Sequence, residues 1–283
     1  MYKEVNKLAI ACLTFSSLTV MTACGDSASQ RLARSLYAQS EEALEQGRYE
    51  QALALTDSIK NSCPDQIEIR RRALHIASRA TEGLTLKRLE QADSLLAATA
   101  VAGDSLSRLV KKVDNPIEPY FVTATVDPAS IKGATGIQAR MSPDGHFYIM
   151  SSLTGRRVNS TSVSVSDGVS SAATTPVAHD GERNDRSMGA EVITFMGVEC
   201  DSLGHFVSLN RDRKLTLTFH GSSDYSVPLT AAQAEAIATL WDYSVTLRKA
   251  KVASLEKERL SRALELARSH AARTFVENSD EAE

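Results

Sequence analysis

The chain has 283 residues, 24% of them charged, and a formal net charge of −3 at pH 7. So mild and mixed a balance argues against nucleic acid or an anionic surface as partner, since both select for a strongly basic face. None of the four cysteines belongs to a C-x-x-C pair, so zinc and thioredoxin-like chemistry have no support. No aromatic residue lies between Tyr49 and Tyr120, whereas Val, Thr, Phe and Tyr crowd the stretch that follows. Ala, Leu, Glu, Arg and Gln dominate on either side, so the chain reads as helical, then strand-rich, then helical.

Residues 1–23 read as an export signal. Lys3 and Lys7 precede an apolar run from Leu8 to Val20, too short and wrongly flanked to be a spanning helix. The Thr22-Ala23-Cys24 ending resembles a bacterial lipobox, with Met21 where Leu, Val or Ile is usual. The resemblance implies cleavage before Cys24 and lipidation of its thiol, which would take the net charge to −4 as Lys3, Lys7 and Glu4 leave. Gly25 rather than Asp follows Cys24, and only Asp26 is acidic nearby. Under the sorting rule for such proteins this implies the outer membrane, facing the periplasm. Of the cysteines left, Cys63 and Cys200 read as buried free thiols, with a disulfide between them as the alternative.

A short tether (24–30) leads to a helical hairpin at 31–64, with Leu32, Leu36, Ala43 and Leu44 facing Ala52, Leu53 and Ile59 across a turn at Gly47. Gly47-Arg48-Tyr49-Glu50-Gln51-Ala52-Leu53, followed by Pro64, resembles the second half of a tetratricopeptide repeat. Thr56 and Ile59 depart from that motif and no second repeat follows, so the concave groove of an array is not expected.

A long helix is expected over 65–115, ended by Asp114-Asn115-Pro116, with Gly83 and Gly103 as kink points. Leu89, Ala92, Leu96, Thr99, Gly103, Leu106, Val110 and Val113 form a heptad seam along it. A second long helix is expected over 230–276, opened by a Thr230/Gln233 capping box, before a polar tail at 277–283. Its apolar side is read as Ile237, Leu240, Trp241, Leu247, Val252 and Leu255, shifting to Leu260, Leu264, Ala267 and Ala271. Both helices flank one domain, so the economical fold is α+β: an antiparallel long-helix stalk carrying an N-terminal helical hairpin and a head with a largely antiparallel sheet. The alternative is that the helices wrap the head.

The head (116–229) shows period-two alternation at Tyr120–Val126, Gly136–Met141, Phe147–Leu153, Ser162–Ser166, Ala190–Met196, Lys214–His220 and Tyr225–Leu229. Ser142-Pro143-Asp144-Gly145 reads as a hairpin turn, and a helix near Glu199–Asn210 buries Leu203, Phe206 and Val207. Between Gly168 and Met188 no pattern survives, and a loop of that length is usually functional or disordered.

No G-x-S-x-G, H-E-x-x-H, Walker, G-x-G-x-x-G or EF-hand motif occurs, and no His lies three or four residues from another His or a Cys. Neither a cofactor nor a metal is therefore expected, and no catalytic residue is assigned. The densest polar cluster is His179, Asp180, Glu182, Arg183, Asn184, Asp185 and Arg186, the candidate recognition site. It combines an imidazole, three carboxylates and two guanidiniums, which can neutralise one another in a solvated loop tip. His220 and Asp224 are candidates to approach it.

Asp-Ser-aliphatic triplets occur at Ser27, Ser58, Ser94, Ser105 and Ser202, where composition would give about one. They resemble the O-glycosylation motif of exported Bacteroidetes proteins, with the serine as acceptor; the alternative is that they mark helix starts or solvent faces. Taken together the chain resembles lipoproteins of that bacterial group, a resemblance that implies no activity. The expected function is a non-catalytic periplasmic interaction or scaffold module, held to the membrane by diacylglyceryl Cys24 and meeting a protein or glycan partner. The alternatives are an envelope hydrolase or glycan-binding protein using the 179–186 loop, and a protein that self-associates through its stalk helices.

Overall fold

The computed structural model describes residues 27–186 and 189–275, so the expected signal, Cys24 and the polar tail lie outside the described residues. The fold is α+β, with five α-helices and ten strands in two antiparallel sheets among the described residues. Two compact units divide the chain, one running to Leu84 and resuming at Leu266, the other Thr85–Glu265. The division cuts through both long helices. Among the described residues no helix is long and apolar enough to cross a membrane.

In the first unit, α1 (Ala28–Glu45) and α2 (Tyr49–Ser62) form the expected hairpin. Gly47, at φ +69°, ends α1: its N–H bonds the Leu44 carbonyl at 3.0 Å and the Arg48 N–H bonds that of Ala43 at 2.8 Å. This is a Schellman closure, in which only glycine takes the left-handed turn at no steric cost. Ala43, Ala52, Ile76 and Ala80 form the local core, small residues letting the helices come close. Leu32, expected in the interface, is 46% exposed; Ala33 takes the inward position one residue on. Gly83 is not needed as a hinge. The Tyr49 ring occupies the space a Cβ would take there, 2.3 Å away.

The long helices are α3 (Ile67–Ser107) and α5 (Ala231–Thr274). Within the first unit His75 faces Ala271, and Glu82 bonds Arg268 at 3.1 Å. Within the second, Asp93 meets Lys257 at 2.7 Å and Gly103 lies against Thr246. The pairing is antiparallel in each unit. The seam of α3 runs as expected through Ala92 and Thr99, but on α5 Val252 and Leu255 are 66% and 59% exposed. Ala253 faces inward instead, in step with Leu260, Leu264, Ala267 and Ala271 at spacings of seven, four, three and four. The Thr230 capping box forms, its hydroxyl accepting the Gln233 backbone N–H at 3.2 Å and the Gln233 side-chain Oε1 accepting the Thr230 N–H at 3.1 Å.

The expected helix to Val113 is corrected at its end: α3 stops at Ser107 and Val110–Val113 is strand β1. It pairs antiparallel with β2 (Tyr120–Thr123), Val110 opposite Thr123 and Val113 opposite Tyr120. The ladder satisfies the backbone groups a helix would otherwise bond, and β-branched valines favour it. Val110 and Val113 are half-buried in this strand, and their three-residue step is what continues the helical seam in the sequence.

The remaining strands are β3 (Gly136–Met141), β4 (Phe147–Thr154), β5 (Ser162–Ser166), β6 (Ser171–Ala173), β7 (Asn184–Asp185), β8 (Ala190–Met196), β9 (Leu215–His220) and β10 (Tyr225–Leu229). One sheet runs β1-β2-β3-β4-β8-β7 and the other β10-β9-β5-β6. The Ser142–Gly145 turn joins β3 and β4, with Gly145 at φ +82°. Ile149, Phe195, Val163, Leu217 and Phe219 from both sheets share one core with α4 (Asp201–Asn210) and the first turns of α5. Phe147 meets Trp241 edge to face at 5.4 Å, and Gly204 of α4 lets both rings in. The stretch expected to lack structure carries β6 and β7. They are too short to alternate visibly, and Thr174 pins the chain by exchanging bonds with the Val163 backbone.

Candidate functional site

The polar cluster is a tight, internally bonded turn at the edge of the larger sheet. Gly181, at φ +80°, reverses the chain so that one Asp180 oxygen accepts the N–H groups of Glu182, Arg183 and Asn184 at 2.8–2.9 Å. Those bonds, the Asn184 N–H foremost, hold the Asp180 carboxyl below its ordinary range. His179 Nδ1 lies 2.6 Å from the Asn184 carbonyl, which can only accept, so the ring carries a proton on Nδ1.

Arg183 bonds Glu199 at 2.5 Å, raising the guanidinium's affinity for its proton and lowering that of the carboxyl. Asn184 is fully buried and donates to the carbonyls of Ser160 at 3.0 Å and Val177 at 2.8 Å. Asp185 sits in β7 opposite Val192 of β8. Arg186 reaches Asn159 Oδ1 and the Ser160 carbonyl, both at 3.3 Å. Of the seven predicted residues, only His179, Asp180 and Glu182 are exposed. Arg183, Asn184 and Arg186 hold the turn and the neighbouring β4–β5 connection in place.

That connection has a second anchor, which no sequence signal marked. Glu191, 2% exposed, accepts the N–H groups of Val158 (3.0 Å), Asn159 (2.7 Å) and Ser160 (2.8 Å) and the Ser160 hydroxyl (2.8 Å). Burial pushes its carboxyl up, but the bonds from Ser160, Asn159 and Val158 together outweigh burial and leave it below the ordinary range. Asn159 takes φ +56° to present its N–H, a conformation Asn tolerates better than most residues.

His220 and Asp224 do not bond the 179–186 turn. His220 Nε2 lies 2.7 Å from Ser164 Oγ, and its Nδ1 lies 3.0 Å from Asp224 Oδ1. The three stand on the outer face of the smaller sheet, where Ser164 of β5 is opposite Thr218 and next but one to the position opposite His220. A serine at 164 carried no motif, and only strand register brings it to His220.

Cys63 and Cys200 are both buried and free. Burial pushes the Cys200 thiol up to about 12, which leaves it inert at neutral pH. Among the described residues no three His, Cys, Asp or Glu side chains converge as a metal site would need. Of the Asp-Ser serines, Ser27 caps α1, its hydroxyl accepting the Gln30 N–H at 3.1 Å. Ser202 stands in the first turn of α4 and bonds the Ala173 carbonyl. Ser58, Ser94 and Ser105 lie within α2 and α3, so the helix-start reading accounts for two of the five.

No protein-family model, curated protein or solved structure matches the chain.

Proposed function

We propose that the chain is a lipid-anchored lipoprotein of the cell envelope whose strand-rich domain is an interaction or scaffold module. The carrying observation is the pre-organised turn at 179–186. Asp180, Arg183, Asn184 and Arg186 bond within the fold, leaving Arg183 Nε, Asn184 Oδ1 and Arg186 Nε buried without a partner among the described residues, while His179 and Glu182 stand exposed on a backbone already held in one shape. A partner that docks there orders little further chain, so more of each contact is retained as affinity. The hydrolase alternative gains no support from this turn, because the same groups are engaged.

The anchor reading rests on Lys3, Lys7, the apolar run and Thr22-Ala23-Cys24-Gly25. Multiple acyl chains on Cys24 make membrane attachment durable where one would not, and Gly25 favours the outer membrane facing the periplasm. The test is cross-linking and pull-down of the intact lipoprotein in membranes, beside a His179→Ala, Glu182→Ala variant. A discrete protein or glycan partner lost in the variant is the expected result. Capture of no partner by the wild-type chain would overturn the interaction reading, and a partner retained by the variant would move the contact to the long helices.

A further inference from the structure

On the outer face of the smaller sheet, Ser164, His220 and Asp224 form a hydrogen-bonded chain that the interaction reading does not use. We propose that Ser164 is a base-activated nucleophile that hydrolyses short-chain acyl esters of polar alcohols, with His220 as its general base and Asp224 as the residue that positions the imidazole.

Asp224 Oδ1, 3.0 Å from Nδ1, accepts the proton that Nδ1 carries. The neutral imidazole then presents a lone pair at Nε2, and the partner there is the Ser164 hydroxyl at 2.7 Å. A serine bonded to a histidine that a carboxylate orients is the arrangement that makes a hydroxyl nucleophilic, on whatever fold it occurs. Rigid elements hold two of its members. Ser164 lies in β5 and His220 at the end of β9, and the two strands pair from Ser162 with His220 to Ser166 with Thr216. Asp224 sits four residues on from His220, just before β10.

Stabilisation for the developing oxyanion stands on the same face. Thr218 is directly opposite Ser164, and its hydroxyl lies 2.9 Å from that of Ser226. Two hydroxyls that share one hydrogen bond keep one O–H free to donate, whichever is the donor. When Ser226 is the donor, that free O–H is Thr218's, on the residue directly opposite Ser164, and it is the one an oxyanion formed there would use. Hydroxyl neighbours rather than an apolar slot suit a small acyl group on a polar carrier. His220 and Asp224 are 32% and 64% exposed at their side chains, so the ester is met at an open surface.

The reaction balances without a further reagent. Ser164 Oγ attacks the acyl carbon as its proton passes to His220 Nε2. The tetrahedral centre collapses, the C–O bond to the alcohol breaks, and the alkoxide takes that proton. Water then attacks the acyl-serine, giving its proton to Nε2, and the acid leaves as Ser164 recovers its own.

The experiment treats the full chain with a fluorophosphonate probe and, separately, with p-nitrophenyl acetate and p-nitrophenyl decanoate. Peptide mass mapping should place the phosphonyl group on Ser164, and the acetate ester should turn over faster than the decanoate. His220→Gln should slow both labelling and turnover by on the order of 100-fold, the usual reach of a general base. For the positioning residue, Asp224→Asn should lower kcat about tenfold with KM little changed, and Asp224→Glu should restore part of it. If Ser164→Ala fails to fold, Ser164→Cys replaces it: iodoacetamide should alkylate that thiol faster with His220 present than in the double variant with His220→Gln. Labelling that misses Ser164, or that is as fast without His220, would overturn the proposal. It would leave the interaction reading untouched, since His179 and Glu182 are intact in every variant.

Discussion

Glu191 shows how one carboxylate shapes the region beside the candidate loop. Four donors from Val158, Asn159 and Ser160 converge on it in a buried site. Glu191→Gln keeps the shape but replaces an acceptor oxygen by a donor, leaving at least one buried N–H unpaired. A loss of about 1–3 kcal/mol is expected, measured by urea unfolding. The same bonds set a pH dependence. Glu191, Glu199, Asp167 and Asp180 all have carboxyls lowered by folding: by the Ser160 group against burial, by Arg183, by the Ser170 N–H and by the Asn184 N–H respectively. A lowered acid contributes stability above its unfolded pKa, near 4, and loses it as pH falls through the folded value. Stability should therefore stay level from about pH 7 to pH 5 and fall below about pH 4, with Glu191→Gln showing a shallower fall. At Gly204 a Cβ would stand 2.7 Å from Trp241 and 2.8 Å from Phe147. Gly204→Ala should cost about 1–3 kcal/mol by overpacking and shift the fluorescence of the single tryptophan.

At the scale of the element, α5 separates pattern from packing. Val252 and Ala253 are neighbours, yet the larger apolar side chain is the exposed one and the smaller lies in the seam, 3% exposed. Val252→Lys should change stability by no more than about 0.5 kcal/mol, whereas Ala253→Lys should cost about 2 kcal/mol or more, read from thermal melts. Hydropathy alone orders the two the other way. The strand edges follow their own logic. Lys111 and Lys112 lie along edge strand β1, and Pro228, with no N–H to offer, lies in edge strand β10. Both devices discourage pairing with another chain.

For the whole molecule, the proposed lipid anchor rests on the stretch that ends at Thr22-Ala23-Cys24. Cys24→Ser should move the protein from the membrane fraction to the soluble fraction on centrifugation, and retention in the membrane would count against the lipid anchor. The strands at Gly136–Met141 and Leu215–His220, the capped start of α5 and the turn at Gly47 were all legible in the sequence. Each rests on local physics: two-residue alternation, a capping pair three residues apart, or a glycine free to take positive φ. The polar cluster at 179–186 was visible as composition, but its use was not. Whether Arg183 meets a ligand or Glu199 depends on a residue sixteen positions away. The end of α3 reads as helix because Val110 and Val113 keep the three-residue step of its seam; pairing with β2 decides for strand, in which the two valines fall on opposite faces. Ser164 and His220, 56 residues apart, meet only because the β5–β9 register sets them on one face, and Glu191 of β8 meets its donors in the loop that follows β4, the strand paired beside it. What depends on neighbours in the chain was determined by the sequence read alone. What depends on which strand lies beside which was decided by the tertiary structure, because the energy of a cross-strand contact has no signature in the local order of residues.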